Sequence, residues 1–246
     1  MVNFLNNNFL SISLIVEYFV VLTVVILYKN YKYTAAKYFA IFLIYVALME
    51  TLSRYTGLVH PDKYLYFFVG TVLEKNHWQT TITWDIGAVL FYVFYFRKVL
   101  VTQVYKTILT VAGVCFLVFS IIYIIVNNDI FFTEFYDSIV LAGAFVIILC
   151  SSLYFIEILK SDKLLYFYKD LNFYISVTIF LWWIVVTPLT FYDVYFVYEI
   201  GSSYRDEDYA ILRRTIYLLA NLFMYGMFTF ALIYCRPRKK EIANCK

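Results

Sequence analysis

The chain has 246 residues, of which 63% are hydrophobic and 15% charged, with a formal net charge of +3 and a mean hydropathy of +0.76. Soluble domains carry about 25% charged residues, so this composition excludes an ordinary soluble domain and indicates a polytopic membrane protein. No basic patch or nucleic-acid-binding motif occurs in the sequence, which argues against a nucleic-acid partner.

The N-terminal segment Met1–Asn8 contains no Lys or Arg. A secretory signal peptide needs a basic start and a cleavage site of small residues, and neither is present. We therefore expect the first apolar run to be a retained helix that lies in the lipid bilayer.

Apolar runs of about 20 residues have the length that crosses a bilayer core. Seven such runs predict an all-α, seven-transmembrane-helix bundle that occupies residues 1–246 as a single domain. Only the connections 58–80 and 196–210 are long, and neither can hold a soluble domain. The approximate predicted spans are 9–28, 36–57, 81–98, 105–126, 138–159, 173–195 and 211–234.

The basic residues predict the orientation. Fourteen of the 20 Lys and Arg residues lie on one side, which the positive-inside rule places in the cytoplasm. The N-terminus is then outside and the C-terminal tail is cytoplasmic. The cytoplasmic set is Lys29, Lys32, Lys37, Arg97, Lys98, Lys106, Lys160, Lys163, Lys169, Arg236, Arg238, Lys239, Lys240 and Lys246. The outer set is Arg54, Lys63, Lys75, Arg205, Arg213 and Arg214.

Polar and charged side chains gather in the outer half of the predicted bundle. A rise of about 1.5 Å per residue places Glu17 and Glu50 roughly 12 Å below the outer surface. Arg54 follows Glu50 by one helical turn. We expect these two residues to pair and to face the bundle interior, because a lone charge in a bilayer is costly. The candidate ligand-binding residues are Glu17, Glu50, Arg54, Trp84, Asp85 and Asn221.

Two interpretations of this polar cluster remain open. It is either an outward-facing pocket for a small ligand, or a buried network that fixes the register of the helices. Pro188, in the outer half of the sixth span, predicts a helix kink because proline removes a backbone hydrogen bond.

Several chemistries find no support. No P-loop, HExxH, GxSxG or GxGxxG motif occurs, and the last span contains no Lys that could carry retinal. The two histidines, His60 and His77, lie with Trp78 in one predicted outer loop, and the spacing of acidic residues around them matches no closed metal site. We expect no enzyme activity, no cofactor and no metal. The four cysteines avoid the predicted outer loops, so we expect no structural disulfide.

Four stretches carry a resemblance to a known family. They are ALMETLSRYTG (47–57), EKNHWQTT (74–81), DLNFYISVTIFLWWIVVTPLTFY (170–192) and NLFMYGMFTFALIYC (221–235). The chain resembles the small seven-helix membrane modules of Bacteroidetes bacteria, in which a Glu of helix 2 precedes a loop that ends in an Asn-His-Trp-like element. Asn172 is followed by Phe173 and Tyr174, where those modules have Pro and Trp.

The resemblance implies a receptor-like role, because such modules occur alone or ahead of histidine kinase domains. The first hypothesis is a non-enzymatic sensory module of a bacterial inner membrane. It would bind a small molecule on its outer side and signal through a separate membrane or cytoplasmic protein. The second is an accessory subunit of a larger membrane complex. The third is a small transporter, against which the lack of an internal repeat argues.

Overall fold

Seven long helical segments account for most of the chain in a computed structural model, which describes residues 8–161, 166–193, 195–196 and 206–235. No strand occurs within these ranges. The regular α-helices are α1 (Phe9–Tyr31), α2 (Ala36–Ser53), α4 (Gln103–Val126), α5 (Asp137–Leu159), α6 (Leu171–Asp193) and α7 (Glu207–Tyr234).

These six helices are long and apolar enough to cross a membrane, which indicates a multi-pass membrane protein. They coincide with six of the seven predicted spans. The basic tail from Arg236 onward, Lys163, Arg205, Cys245 and most of the segment Met1–Asn8 lie outside the described residues.

The segment α3 (77–99) has a composite form. It begins with one α-helical turn, His77–Thr80, continues as a π-helix over Thr81–Ala88, and ends as an α-helix over Val89–Val99. These pieces have 4, 8 and 11 residues, so none is long enough to span a membrane alone. The predicted loop position of His77 and Trp78 is wrong, because both residues lie in the first turn of α3.

Side-chain caps explain where two of the helices begin. Asp206 precedes α7 and accepts a hydrogen bond from the Tyr209 backbone N–H, which satisfies one of the orphan donors of the first turn. Asp170 precedes α6, and its Oδ1 accepts from the Asn172 backbone N–H while its Oδ2 accepts from the Tyr154 hydroxyl of α5. Asp170 therefore starts α6 and ties it to α5.

The chain divides into two compact units. Unit 1 combines 1–40 with 151–246, and unit 2 is the continuous stretch 41–150. The helices α2 and α5 each contribute residues to both units. The described residues of each unit pack around a buried set of apolar side chains.

In unit 1, α7 packs beside both α1 and α6. The Tyr31 hydroxyl at the end of α1 donates to the Leu232 carbonyl near the end of α7, at 2.7 Å. Because α1 packs beside α7 and their C-terminal ends meet, the two helices run in the same direction. The buried side of α1 repeats at intervals of three or four residues, typical of a helix-packing seam. It consists of Ser13, Glu17, Val20, Val24, Leu27 and Tyr31.

In unit 2, α3 packs against α4 and α5 at glycines. A Cβ atom at Gly113 of α4 would lie 2.9 Å from Val93 Cγ1, and one at Gly143 of α5 would lie 2.8 Å from Val89 Cγ2. Small residues of this kind let membrane helices approach closely. Near the start of the unit, Phe42 of α2 stacks on Phe91, with ring centroids 3.8 Å apart.

The substitution Gly143→Ala is expected to lower the free energy of unfolding by about 1–3 kcal/mol, because the added methyl group overpacks the contact with Val89. The β-branched Val89 has few rotamers with which to move away. The matched control is Gly226→Ala in α7, where a Cβ would meet nothing within 4 Å. That change should leave stability unchanged or raise it by up to about 1 kcal/mol. Thermal unfolding of both purified variants tests the contrast, and equal effects would contradict it.

Candidate functional site

The π-helical segment of α3 carries a buried carboxylate, Asp85, which is only 5% exposed. The fully buried Thr81 precedes it by four residues, and its side chain hydrogen-bonds the Asp85 carboxyl group. Asp85 Oδ2 and Thr81 Oγ1 have no other hydrogen-bond partner within the described part of the chain. A buried carboxylate with so few hydrogen bonds is costly, so Asp85 marks an unusual place in the fold.

The backbone at Asp85 packs closely against α5. The Asp85 backbone carbonyl lies 3.5 Å from the position of a Cβ on Gly143, beside Val89 and the ring of Phe116. The charge of Asp137, in the first turn of α5, reaches Asp85 and has the same sign. We call Thr81, Asp85 and Asp137 the Asp85 cluster. Trp84, the residue before Asp85, is half-buried.

A π-helix is rare, and π segments inside α-helices occur frequently at functional sites. Such a segment bonds residue i to residue i+5, so its turns are wider than α-helical turns. Gly87 shows the effect locally, since a Cβ there would lie 3.0 Å from the Ile82 carbonyl oxygen. The Asp85 cluster therefore lies on a stretch of helix whose backbone departs from regular α-helical geometry.

The C-terminal end of α2 is held by two amide side chains. Asn76 Nδ2 donates to the Ser53 carbonyl, and Gln79 Nε2 donates to the Met49 carbonyl. These carbonyls belong to the last turn of α2, where intrahelical donors run out. Two residues of the EKNHWQTT stretch thus have a structural role, as caps of the preceding helix.

Glu50 and Arg54 lie at the same helix end. The positive charge of Arg54 acts on the Glu50 carboxylate, and a direct contact between the two side chains stays a prediction. The Arg54 side chain is half-buried and Glu50 is exposed within the chain. That both side chains face the bundle interior also stays a prediction.

The two histidines that were considered for a metal site lie in the connection between α2 and α3 and in the first turn of α3. His60 Nδ1 lies 3.6 Å from Asp62 Oδ2, with both side chains largely exposed to solvent. The His77 ring contacts the Phe135 ring edge-on. Across the described residues, no group of three or more His, Cys, Asp or Glu side chains is placed to hold a metal ion.

Unit 1 contains a second polar network, between α6 and α7. Arg213 donates from Nε to Asp193 Oδ1 at 2.8 Å and from a terminal nitrogen to Oδ2 at 3.0 Å. The Tyr209 hydroxyl lies 2.6 Å from Asp193 Oδ1 and 3.1 Å from the Leu189 carbonyl. The Asp193 side chain is 5% exposed and that of Arg213 is 21% exposed. This is a bidentate, nearly enclosed ion pair.

The network continues along α7 toward its C-terminus through aromatic side chains. The Arg213 guanidinium lies over the Tyr217 ring, 4.7 Å from its centroid, and Tyr217 contacts Trp182. Trp182 Nε1 then donates to Asn221 Oδ1 at 2.9 Å. The candidate residue Asn221 therefore fixes Trp182 and joins α6 to α7. We call Trp182, Asp193, Tyr209, Arg213, Tyr217 and Asn221 the α6–α7 network.

The six candidate ligand-binding residues are divided between the two units. Glu17, buried on the seam of α1, and Asn221 belong to unit 1. Glu50, Arg54, Trp84 and Asp85 belong to unit 2. A single pocket shared by all six stays a prediction. Pro188 lies inside the continuous helix α6, five residues before its end, and the kink also stays a prediction.

Two titratable groups at the ends of the predicted spans have raised pKa values. Burial raises the pKa of Tyr136, and the carboxylate of Asp129 raises it further. Burial raises the pKa of the Cys235 thiol to about 11, with an additional effect of Asp170. Cys235 is therefore protonated near neutral pH, which is unfavourable for a nucleophile. Cys115, Cys150 and Cys235 are all free thiols.

Sequence reasoning missed the bidentate pair of Asp193 with Arg213 and two members of the Asp85 cluster, Thr81 and Asp137. Asp193 and Arg213 have opposite charges at facing ends of consecutive spans, and this arrangement was a usable signal. Thr81 lies four residues before Asp85, the spacing at which side chains share a helix face. No such signal existed for Asp137, whose proximity to Asp85 depends on how α3 and α5 pack.

Comparison of the chain with protein-family models, with curated proteins and with solved structures gives no match.

Proposed function

We propose that the chain is a non-enzymatic, receptor-like module of a bacterial inner membrane, related to the seven-helix modules of Bacteroidetes, that signals through a separate protein. The observation that carries the proposal is the Asp85 cluster on a π-helical segment. A buried carboxylate whose one described hydrogen-bond partner is the Thr81 side chain, on an irregular stretch of a membrane helix, is typical of a site that responds to a ligand.

The direction of the helices supports seven spans. Successive spans alternate in direction, so α1 and α7 are parallel only if an odd number of spans lies between them in the chain. They are parallel in unit 1, and α6 runs antiparallel to α7, as the Trp182–Asn221 and Asp193–Arg213 contacts require. With α2, α4, α5 and α6 as spans, α3 must also cross. We infer that α3 is the seventh span.

A π segment gives such a module a means of response. A ligand can change an equilibrium only if it binds two conformations with different affinity. If the π segment became regular α-helix, one residue would leave the wide turn. The part of α3 that follows the segment would then be rotated relative to the part that precedes it. A ligand at Asp85 that favours one of these two forms would thereby change the orientation of the inner end of α3, near Arg97 and Lys98.

Cysteine labelling tests the topology. In intact cells, Glu134→Cys, at an exposed position between α4 and α5, should react with a membrane-impermeant maleimide. Lys98→Cys, exposed at the other end of α3, should react only after the membrane is opened. The native Cys115 is changed to Ser in both variants to lower the background. The reverse pattern, or equal labelling of both positions from outside, would refute an external N-terminus with seven spans.

Purification in a gentle detergent tests the receptor role. Mass spectrometry would compare the small molecules and proteins that stay with the wild type, with Asp85→Asn, and with the control Asp62→Asn, whose side chain is 89% exposed. A molecule retained by the wild type and the control but lost from Asp85→Asn supports the proposal. A stable protein complex that all three variants retain, with no such small molecule, would favour the accessory-subunit hypothesis instead.

A further inference from the structure

The connection between α2 and α3 carries an uninterrupted apolar stretch, YLYFFV at residues 64–69, which we call the aromatic loop. Three of its side chains are more than half exposed, Tyr64 at 89%, Tyr66 at 64% and Phe67 at 55%. Single exposed apolar residues are ordinary, but a continuous exposed run is unfavourable in water and marks a contact surface.

The aromatic loop has a defined backbone. Tyr66–Phe68 forms a turn of 3₁₀-helix, and the Leu65 backbone N–H donates to the Leu58 carbonyl at 3.1 Å. The loop ends at Gly70, whose φ of +75° suits glycine and whose N–H donates to the Glu74 carboxylate at 2.7 Å. Hydrogen bonds therefore hold the chain in the conformation that exposes the aromatic side chains.

The aromatic loop also lies close to the ends of the long helices. The Phe68 ring contacts the ring of Tyr55, two residues after the end of α2, with centroids 6.4 Å apart. The Tyr55 hydroxyl donates to the Lys75 carbonyl, two residues before α3, at 3.1 Å. Lys75 Nζ donates in turn to the Thr133 carbonyl, between α4 and α5, at 3.3 Å. The loop is thus tied down at the level where the membrane-spanning helices end.

The exposed apolar surface is continuous with the surface that faces lipid. The membrane-spanning helix α2 exposes Leu48 and Leu52 in its last two turns, and Leu58 is exposed in the turn that follows. Beyond it, the exposed Phe67 ring lies 4.4 Å from the Phe68 ring. Amphipathic aromatic rings such as that of Tyr66 are enriched where hydrocarbon gives way to headgroups, since the hydroxyl can still reach water.

The charges of the connection balance. Residues 57–75 contain two acidic side chains, Asp62 and Glu74, and two basic ones, Lys63 and Lys75. Both lysines donate to backbone carbonyl groups of the chain itself. The connection is therefore matched to burial of apolar surface rather than to a strongly charged partner or to anionic lipid in particular.

We propose that the aromatic loop inserts Tyr66 and Phe67 into the headgroup region of the bilayer that holds the helices. The α2–α3 connection then lies on the membrane surface and fixes the depth at which α3 begins. The inference goes beyond the proposed function and does not rest on it, because a receptor, an accessory subunit and a transporter could each be anchored in this way.

Spin labels on the full chain in lipid nanodiscs test the depth of the loop. Phe67→Cys is compared with Asp62→Cys, a position exposed in the same connection, and with Val114→Cys, exposed midway along α4. Cys115 and Cys245 are changed to Ser in each variant. The label at position 67 should lie about 5–10 Å into the boundary between headgroups and acyl chains, accessible to oxygen and protected from a water-soluble nickel complex. The label at 62 should be accessible to nickel, and the label at 114 should lie deepest.

Two outcomes overturn the proposal. In one, nickel reaches position 67 as readily as position 62, which would place the loop in water. In the other, neither reagent reaches position 67, which would show that a second copy or another protein covers it. Tyr66→Cys gives the same reading at the neighbouring position if Phe67→Cys does not fold.

A charge introduced into the loop gives a matched pair of variants. With the spin label at Tyr64→Cys, the added change Phe67→Glu should move the label toward water, because the carboxylate resists entry into the headgroup region. Phe67→Tyr should leave its depth unchanged. The depth should also be the same in nanodiscs with and without phosphatidylglycerol. A label that moves equally in both variants, or enters only when anionic lipid is present, contradicts insertion by the aromatic side chains.

Discussion

Arg213→Ala is expected to lower the free energy of unfolding by about 3–5 kcal/mol, the usual cost of removing one partner from a buried ion pair. The cost arises because the Asp193 carboxylate, 5% exposed, would stay buried with the Tyr209 hydroxyl donating to it but without its counter-charge. Asp193 also lies at the C-terminal end of α6, where the helix dipole disfavours a negative charge. Thermal or denaturant unfolding of the purified variant gives the measurement.

The matched control is Arg214→Ala, which removes the same charge one residue further on and leaves the pair with Asp193 intact. Its effect should stay within about 1 kcal/mol. The double variant Arg213→Ala with Asp193→Asn should recover part of the loss, since no uncompensated charge remains buried. Equal losses in Arg213→Ala and Arg214→Ala would show that the bidentate contact contributes nothing particular to stability.

Deletion of Ile82 is expected to leave the protein folded, whereas deletion of Val111 is expected to prevent folding. Both residues are exposed, apolar and β-branched, and both lie within helices of unit 2. A π turn accommodates an additional residue, so removal of Ile82 can convert part of the segment to α-helix while the later residues of α3 keep their orientation. In α4, a deletion turns all later residues by about 100° and moves buried Phe116 and Ser120 off the packed face.

Yield of monodisperse protein and thermal unfolding give the two outcomes of this deletion experiment. If both deletion variants fold equally badly, the π segment is a required part of the packing and not a tolerated irregularity.

The approximate positions of the six long apolar helices could be predicted from the sequence, because bilayer thickness sets their length directly. The faces by which these helices pack could not be predicted. Helices such as α1 are apolar on the lipid side as well as on the packed side, so the pattern that identifies a buried face in water is lost. The seam from Ser13 to Tyr31 is therefore visible only in the structure.

The site was predictable only in part. Asp85 attracted attention because a charge within a membrane span is costly, and that argument needs no structure. The π-helical form of Thr81–Ala88 left no comparable signal in the sequence TITWDIGA. The start of α3 was misplaced for a related reason, since Asn76, His77 and Gln79 are polar and resemble a loop while they in fact cap α2 and begin a helix.

The hydrogen bond between the Tyr31 hydroxyl and the Leu232 carbonyl has a consequence for biosynthesis. Unit 2 is continuous in sequence, so all its residues are available once the first 150 have left the ribosome. The first helix of unit 1, in contrast, has to wait for a partner that is synthesised about 200 residues later. During that interval the side of α1 that carries Glu17 has no α7 against which to pack, and lipids or an insertion factor must cover it. A nascent chain stalled before α7 should accordingly be the form that cellular proteases remove first.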